Sequence, residues 1–249
     1  MKIQTFLNKL TIASLMLTST ASFVDAQNAT VDIKAEKILN QYVTAIGGQE
    51  AIAKVENILS KSEMLFVERG LIISREISQN KENHFLVKVN SRHTGVIIRG
   101  FDGSTHWEQN KTSIRELNNE DKIGFLNEFA FMRFADWKKN LIGYTYLGMD
   151  TLEGGAFHCI AVKTIFGIDE KWYFNPSDYL LEYTIESLEM TQGSMSVVTK
   201  LEDYKEVDGV RHAFSRSIKM GDSNRKITFS SILHNQDVDP KIFEKPTLD

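Results

Sequence analysis

The stretch Asn119–Asn140, NEDKIGFLNEFAFMRFADWKKN, decides how the rest of the chain is read. Between Ile123 and Trp137 it carries Phe125, Phe129, Phe131, Phe134 and Trp137, a density of aromatic residues several-fold above that of the whole chain. Acids at Glu120 and Asp121 suit the positive end of a helix dipole. Drawn as a helix, Ile123, Leu126, Ala130, Phe134 and Trp137 form one apolar stripe. Phe125, Phe129 and Met132 form a second stripe on nearly the opposite side. A helix resting on a filled core needs one stripe, so this one is expected to plug or cover something concave, touching both protein and contents.

On either side of this segment the sequence reads as strands. Runs of β-branched and aromatic residues are expected as strands near 59–67, 71–79, 84–89, 94–101, 105–109 and 114–117 before the segment. After it they recur near 145–152, 157–164, 170–174, 181–188, 195–204, 211–220 and 225–234. Asp102-Gly103 and Asp208-Gly209 supply the backbone angles of tight hairpins, and Gly154-Gly155 and Gly221-Asp222 act alike. Connections this short predict an antiparallel sheet.

In the second half one face of that sheet is apolar. Leu181, Tyr183 and Ile185 oppose Glu182, Thr184 and Glu186, and Met195, Val197 and Leu201 oppose Ser196 and Lys200. Phe214, Ile218 and Met220 oppose Ser215, Ser217 and Lys219, while Ile227, Phe229 and Leu233 oppose Thr228, Ser230 and His234. About ten strands at ~4.8 Å spacing and ~20 Å length present roughly 950 Å² on that face. Two helices about 10 Å wide shield on the order of 500 Å². The sheet is therefore expected to curl into a barrel or half-barrel, or to fold onto itself as a sandwich.

The other helix precedes the sheet. Ala35, Ile38, Leu39, Tyr42, Val43 and Ile46 recur at helical spacing over 34–46, Gly47-Gly48 supplies the stop, and 49–55 reads as a second short helix. Further upstream, Lys2 and Lys9, the apolar run Leu10–Leu17 and Val24-Asp25-Ala26 read as a signal peptide cut before Gln27. Residues 27–249 are then expected as one domain. A membrane anchor needs about 20 apolar residues, and Thr18, Ser19, Thr20 and Ser22 end the run too soon. Cys159, the chain's only cysteine, is too far downstream to carry a lipid anchor and is read as a buried small hydrophobe in a strand.

Several phrases carry a family resemblance: AIGGQEAIAKVENI at 45–58, GFDGSTHWEQN at 100–110, WYFNPSDYLL at 172–181, DYKEVDGVRHAF at 203–214 and DPKIFEKP at 239–246. With the order of helix, long sheet and mid-chain helix, the sequence resembles the LolA-like superfamily of periplasmic lipoprotein carriers and lipoprotein-sorting proteins. The resemblance implies an incomplete antiparallel β-barrel, an α+β fold of mainly β content, with its N-terminal and mid-chain helices lidding an apolar cavity. It further implies acyl chains of a lipoprotein or lipid as cargo, no cofactor, and a periplasmic or secreted location.

Catalytic signals are weak. His84, His93, His106, His158, His212 and His234 are scattered without ligand spacing, and no nucleophile elbow or phosphate loop occurs, so neither a metal site nor an enzyme is expected. The net charge of −4, without a basic arm, argues against nucleic acid. Candidate ligand-binding residues are Phe125, Phe129, Met132, Arg133, Phe134 and Trp137. Arg133 either meets a polar group of cargo at the cavity mouth, pairs with Asp136 or snorkels past the stripe.

Two functions fit. One is a periplasmic carrier or binding protein for lipoprotein acyl chains or lipid, making transient contact with a membrane surface. The other is an envelope interaction or sensor module with a filled interior and a protein partner. An apolar cavity above about 300 Å³ favours the carrier.

Overall fold

Strands joined by short turns pair readily with their successors, and the first half of the chain does this five times over. Strands β1 (Asn57–Phe66), β2 (Leu71–Asn80), β3 (Phe85–Ser91), β4 (Gly95–Phe101), β5 (His106–Gln109) and β6 (Ile114–Glu116) form one meander. The second half repeats the pattern with β7 (Leu141–Leu152), β8 (Gly155–Thr164), β9 (Asp169–Phe174), β10 (Leu181–Met190), β11 (Gly193–Val207), β12 (Val210–Met220) and β13 (Ser223–His234). This is a computed structural model, and it describes residues 32–190 and 193–247. The expected signal peptide and its cleavage point lie outside the described residues.

The two meanders join where β1 pairs with β13, giving among the described residues one antiparallel sheet of 13 strands with β6 and β7 at opposite edges. The sheet is open rather than closed into a barrel, and it is a single sheet rather than a sandwich. Joining β6 to β7 therefore means crossing from one edge to the other, which is the task of the 119–140 segment.

That segment is not the single long helix its sequence suggests. Helix α3 (Asn119–Glu128) ends early, a turn-rich stretch follows, and α4 (Trp137–Asn140) adds one turn. One continuous helix would turn one of its two stripes away from the sheet. Breaking the helix sends both inward. Phe125, Leu126 and Phe129 pack with Ile77, Phe85, Val87 and Phe101, whereas Phe131, Met132, Phe134, Ala135 and Trp137 join the main core.

Unwinding frees backbone groups, and side-chain amides take them up. Gln79 Nε2 donates to the Phe129 carbonyl at 2.7 Å, and the Phe131 N–H donates to Asn83 Oδ1 at 2.8 Å. Asn140 Nδ2 donates to the carbonyls of Phe131 and Arg133 at 3.2 and 3.3 Å. Met132 sits at φ 46°, a left-handed conformation that marks the bend.

The preceding helix α1 (Ile33–Ala45) buries Ala35, Ile38, Leu39, Tyr42 and Val43 in the same core as Trp172, Phe174 and Leu181. Asp32 caps it, accepting from the N–H groups of Lys34 at 3.1 Å and Ala35 at 3.0 Å, a contribution of about 1 kcal/mol. Its other oxygen accepts from the Tyr146 N–H at 2.8 Å, pinning α1 to β7. Burial acts to raise the Asp32 pKa, but these N–H groups together outweigh it and hold the carboxyl below its usual value. The short helix α2 (Gln49–Ala53) follows. Gly47, read from sequence as a helix stop, also serves a close approach: a Cβ there would meet the Gly209 carbonyl oxygen at 2.0 Å.

Two bulges change which residues face the core. A register shift between Leu181 and Tyr183 leaves Leu181 in the main core but turns Tyr183 and Ile185 to the opposite face, where they pack with Phe157, Cys159 and Tyr173. The expected placement of Tyr183 and Ile185 on the inner side is thus reversed, and that outer face is partly apolar rather than uniformly wet. Another shift, opposite Lys61 and Ser62 on β1, puts Ile232 and His234 inside and leaves Leu233 exposed. A one-residue slip of this kind cannot be seen in an alternating sequence.

Candidate functional site

Strands β1 and β2 bring small and charged residues to the middle of the inner face. Along β1 the buried positions alternate as Ile58, Ser60, Ser62 and Met64, and Ser60 and Ser62 stand opposite Ile77 and Arg75 of β2. Serine leaves room where a larger side chain would fill the floor. The segment from Glu128 to Ala135 lies above that room, and a cavity of about 120 Å³ remains between them.

Its walls come from α1, the crossing segment and the strands on both sides of the β1–β13 junction. Tyr42 and Ile46 of α1, Ile58 and Ser60 of β1, and Arg75, Ile77 and Gln79 of β2 line one side. Leu201 and Tyr204 of β11, the run Val210–Ala213 with Arg216 of β12, and Phe229 and Ile232 of β13 line the other. The cavity is smaller than the roughly 300–1,000 Å³ usual for a ligand pocket, and polar groups are mixed throughout its lining.

The six sequence candidates separate. Phe129, Met132, Arg133 and Phe134 line the cavity. Phe125 lies beside it, stacked on Phe129 at 6.1 Å with the Arg99 guanidinium 4.5 Å above its ring. Trp137 is not part of the lining and is buried in the main core, edge-on to Tyr144 at 5.3 Å.

Arg133 neither pairs with Asp136 nor snorkels outward. It pairs with Glu170 of β9, whose side chain is fully buried. Glu170 also accepts from Asn127 Nδ2 and from Trp172 Nε1, each at 2.7 Å, so α3, the bend and the sheet floor converge on one carboxylate. Asp136 instead pairs with Lys139 at 2.8 Å. Glu186 stands opposite Glu170 on β10. Burial raises its pKa, and the charges of Glu170 and Glu128 raise it further against the opposing pull of Arg133.

Arg75 and Arg216 are cationic residues that the sequence reading passed over. Arg75 is 5% exposed, lies with its guanidinium 5.8 Å over the Phe129 ring, and has Glu128 as an ion-pair partner at 3.7 Å. Arg216 lies 5.2 Å over the Phe229 ring. The Nε atoms of Arg75, Arg133 and Arg216 are all buried without a hydrogen-bond partner. Burial lowers the pKa of Arg216, the charge of Arg75 lowers it further, and Glu128 offsets part of this. A signal was present in each case, since Arg75 falls in register with Ile73 and Ile77, and Arg216 with Phe214 and Ile218. A charge in the apolar register of a strand is the mark to look for.

Beside the arginines His212 and His234 meet, Nε2 to Nε2, at 2.9 Å. Burial lowers the His212 pKa to about 4, with the charges of His234 and Arg216 acting in the same direction. Burial likewise lowers that of His234, opposed by Asp208. One ring then donates to the other, and both are neutral at pH 7. Tyr42 and Tyr204 also border the cavity, and burial raises the pKa of each, so their hydroxyls are neutral too. The arrangement can hold an apolar group against the bend and an anion against the arginines. No cluster of three or more His, Cys, Asp or Glu among the described residues could hold a metal ion.

No family model matches this sequence, and no curated protein does either. Solved structures do match. A LolA superfamily protein from Nitrosomonas europaea superposes with TM-score 0.61 at 10% identity, covering 85% of this chain and 97% of that one. A candidate outer membrane lipoprotein-sorting protein domain from Vibrio parahaemolyticus gives 0.59 at 10% identity, with coverage of 85% and 97%. A DUF1329 family protein from Desulfovibrio piger gives 0.58 at 10% identity, covering 84% and 97%. The chain has the LolA-like fold.

Proposed function

We propose that this protein is a non-enzymatic carrier or binding protein of the cell envelope that shelters an acyl chain of a lipoprotein or lipid between its sheet and the 119–140 segment. The observation that carries this reading is the unwound segment itself. It crosses the open sheet from edge to edge, closes over a cavity and presents Phe129, Met132 and Phe134 to it. The likeness in fold to a LolA superfamily protein and to a candidate lipoprotein-sorting domain supports the same reading and a periplasmic location. Each methylene moved from water into such a space contributes about 0.8 kcal/mol, so a chain can be held without an elaborate polar site.

At about 120 Å³ the cavity holds only part of an acyl chain. Uptake then requires the segment to lift, and among its described residues those of α3 are the more exposed. Native mass spectrometry with lipid extraction of protein purified from its own envelope, joined to uptake of a fluorescent fatty acyl probe, tests the reading. Bound lipid and saturable uptake are expected. Apo protein that takes up no probe would sink the proposal.

The small cavity favours a second reading, an envelope interaction or sensor module whose interior is nearly filled and whose partner is a protein. Envelope cross-linking that captures one specific protein, from chains that carry no lipid, supports it over the first.

A further inference from the structure

We infer that Arg75 and Arg216 form an oxyanion site in the cavity, taking the carboxylate or phosphoryl head of an anionic lipid, with Glu128 holding that place until cargo displaces it. This rests on the carrier reading and names its cargo class. Arg75 of β2 and Arg216 of β12 come from opposite sides of the β1–β13 junction and border the same space. Each guanidinium lies within cation–π reach of an aromatic ring, at 5.8 Å from Phe129 and 5.2 Å from Phe229. A ring contact of this kind uses none of the N–H donors, which suit a two-pronged contact with an oxyanion.

The charge balance is uneven along the cavity. Arg133 has a buried carboxylate of its own in Glu170. Arg75 and Arg216 have Glu128, which stands 3.7 Å from Arg75 with a side chain 44% exposed. A distance of 3.7 Å is too long for a hydrogen bond, and the buried Nε atoms of both arginines have no partner. Arg75 is itself 95% buried, taking its exposure of 5%. Two guanidiniums kept largely from water with, among the described residues, one loose counter-ion are costly unless something else neutralises them. An incoming carboxylate or phosphate does so, and Glu128 can leave because it ends α3 and reaches solvent.

This arrangement separates cargo by its head. Fatty acids and phosphate-bearing lipids are favoured over neutral acyl compounds of equal length, and Glu128 couples entry of the anion to movement of α3. The burial that lowers the pKa of both arginines fits a site completed by an anion.

The test is displacement of a dansylated undecanoic acid probe by dodecanoate, dodecyl phosphate or dodecanol, with inorganic phosphate titrated separately by calorimetry. Both anions are expected to compete about tenfold or more better than dodecanol. Arg75→Gln and Arg216→Gln should each erase most of that preference, whereas Glu128→Gln should strengthen anion binding severalfold. The Glu128 variant keeps the test decisive if an arginine variant fails to fold, because weaker anion binding in it overturns the site. Equal competition by acid and alcohol overturns the oxyanion site and leaves the carrier reading intact. Inorganic phosphate binding that needs Arg216, without uptake of any long chain, supports the site and defeats the carrier reading. Failure of all four compounds to bind overturns both.

Discussion

The two halves of the crossing segment both carry aromatic residues and are held in different ways. In the α4 half, Phe131, Met132, Ala135, Trp137 and Asn140 are buried, and Asn140 ties down two carbonyls of the bend. In the described part of α3, Asn127 is buried, Phe125 and Leu126 are half-buried, and Ile123 and Glu128 are exposed. Aromatic stacking, the cation over Phe125 and the hydrogen bond from Asn127 to Glu170 hold it there. The α4 half is the richer in apolar residues and the more deeply buried, so it is the better anchored of the two, because burial and satisfied backbone groups set local stability.

Hydrogen exchange probes that difference most sharply. Amides of α3 are expected to exchange about two orders of magnitude faster than those of 131–141. Equal protection would break the comparison and remove the movable lid. Next in size is Glu170→Gln, which leaves Arg133 without its counter-charge in a buried position and should cost about 3–5 kcal/mol in denaturant unfolding. A loss below about 1 kcal/mol would mean that this carboxylate does not join the halves to the floor.

Acid acts on the sheet beneath the lid. The folded His212 pKa of about 4 lies below the ordinary 6.5, so the unfolded chain binds more protons between these values. Stability from this group is fully present above about pH 6.5 and is lost as pH falls toward 4, by up to about 3 kcal/mol. His212→Asn should flatten that part of a curve of Tm against pH. An unchanged slope would assign it to the carboxylates instead. The smallest effect is Phe125→Ala, expected to cost about 1–2 kcal/mol, against about 3–5 kcal/mol for Trp137→Ala. Equal losses would erase the distinction between the halves.

Much of the architecture was legible because hairpin chemistry is local. Turn residues such as Asp102-Gly103 and Asp208-Gly209, and the β-branched runs between them, located all 13 strands to within a few residues. The candidate site was legible only in part. Phe129, Met132, Arg133 and Phe134 reach the cavity, but Trp137 went to the core because the helix broke before it. Arg75 and Arg216 were missed although each sits in an apolar register, since a charge there has no visible meaning until its counter-charges are placed. Bulges at Leu181–Tyr183 and opposite Lys61–Ser62 reversed the faces of Tyr183, Ile185 and Leu233 for a similar reason.

Sequence alone determined the antiparallel meanders, the amphipathic first helix and the two apolar stripes of the 119–140 segment, because each depends on neighbours within a few residues. The tertiary structure decided that the helix ends at Glu128 and the segment bends at Met132, that Arg133 finds Glu170, and that two strands from opposite sides of the junction bring Arg75 and Arg216 to one cavity. These depend on pairings between residues tens to more than a hundred positions apart, where register and burial are set by the assembled sheet and not by the chain's local preferences.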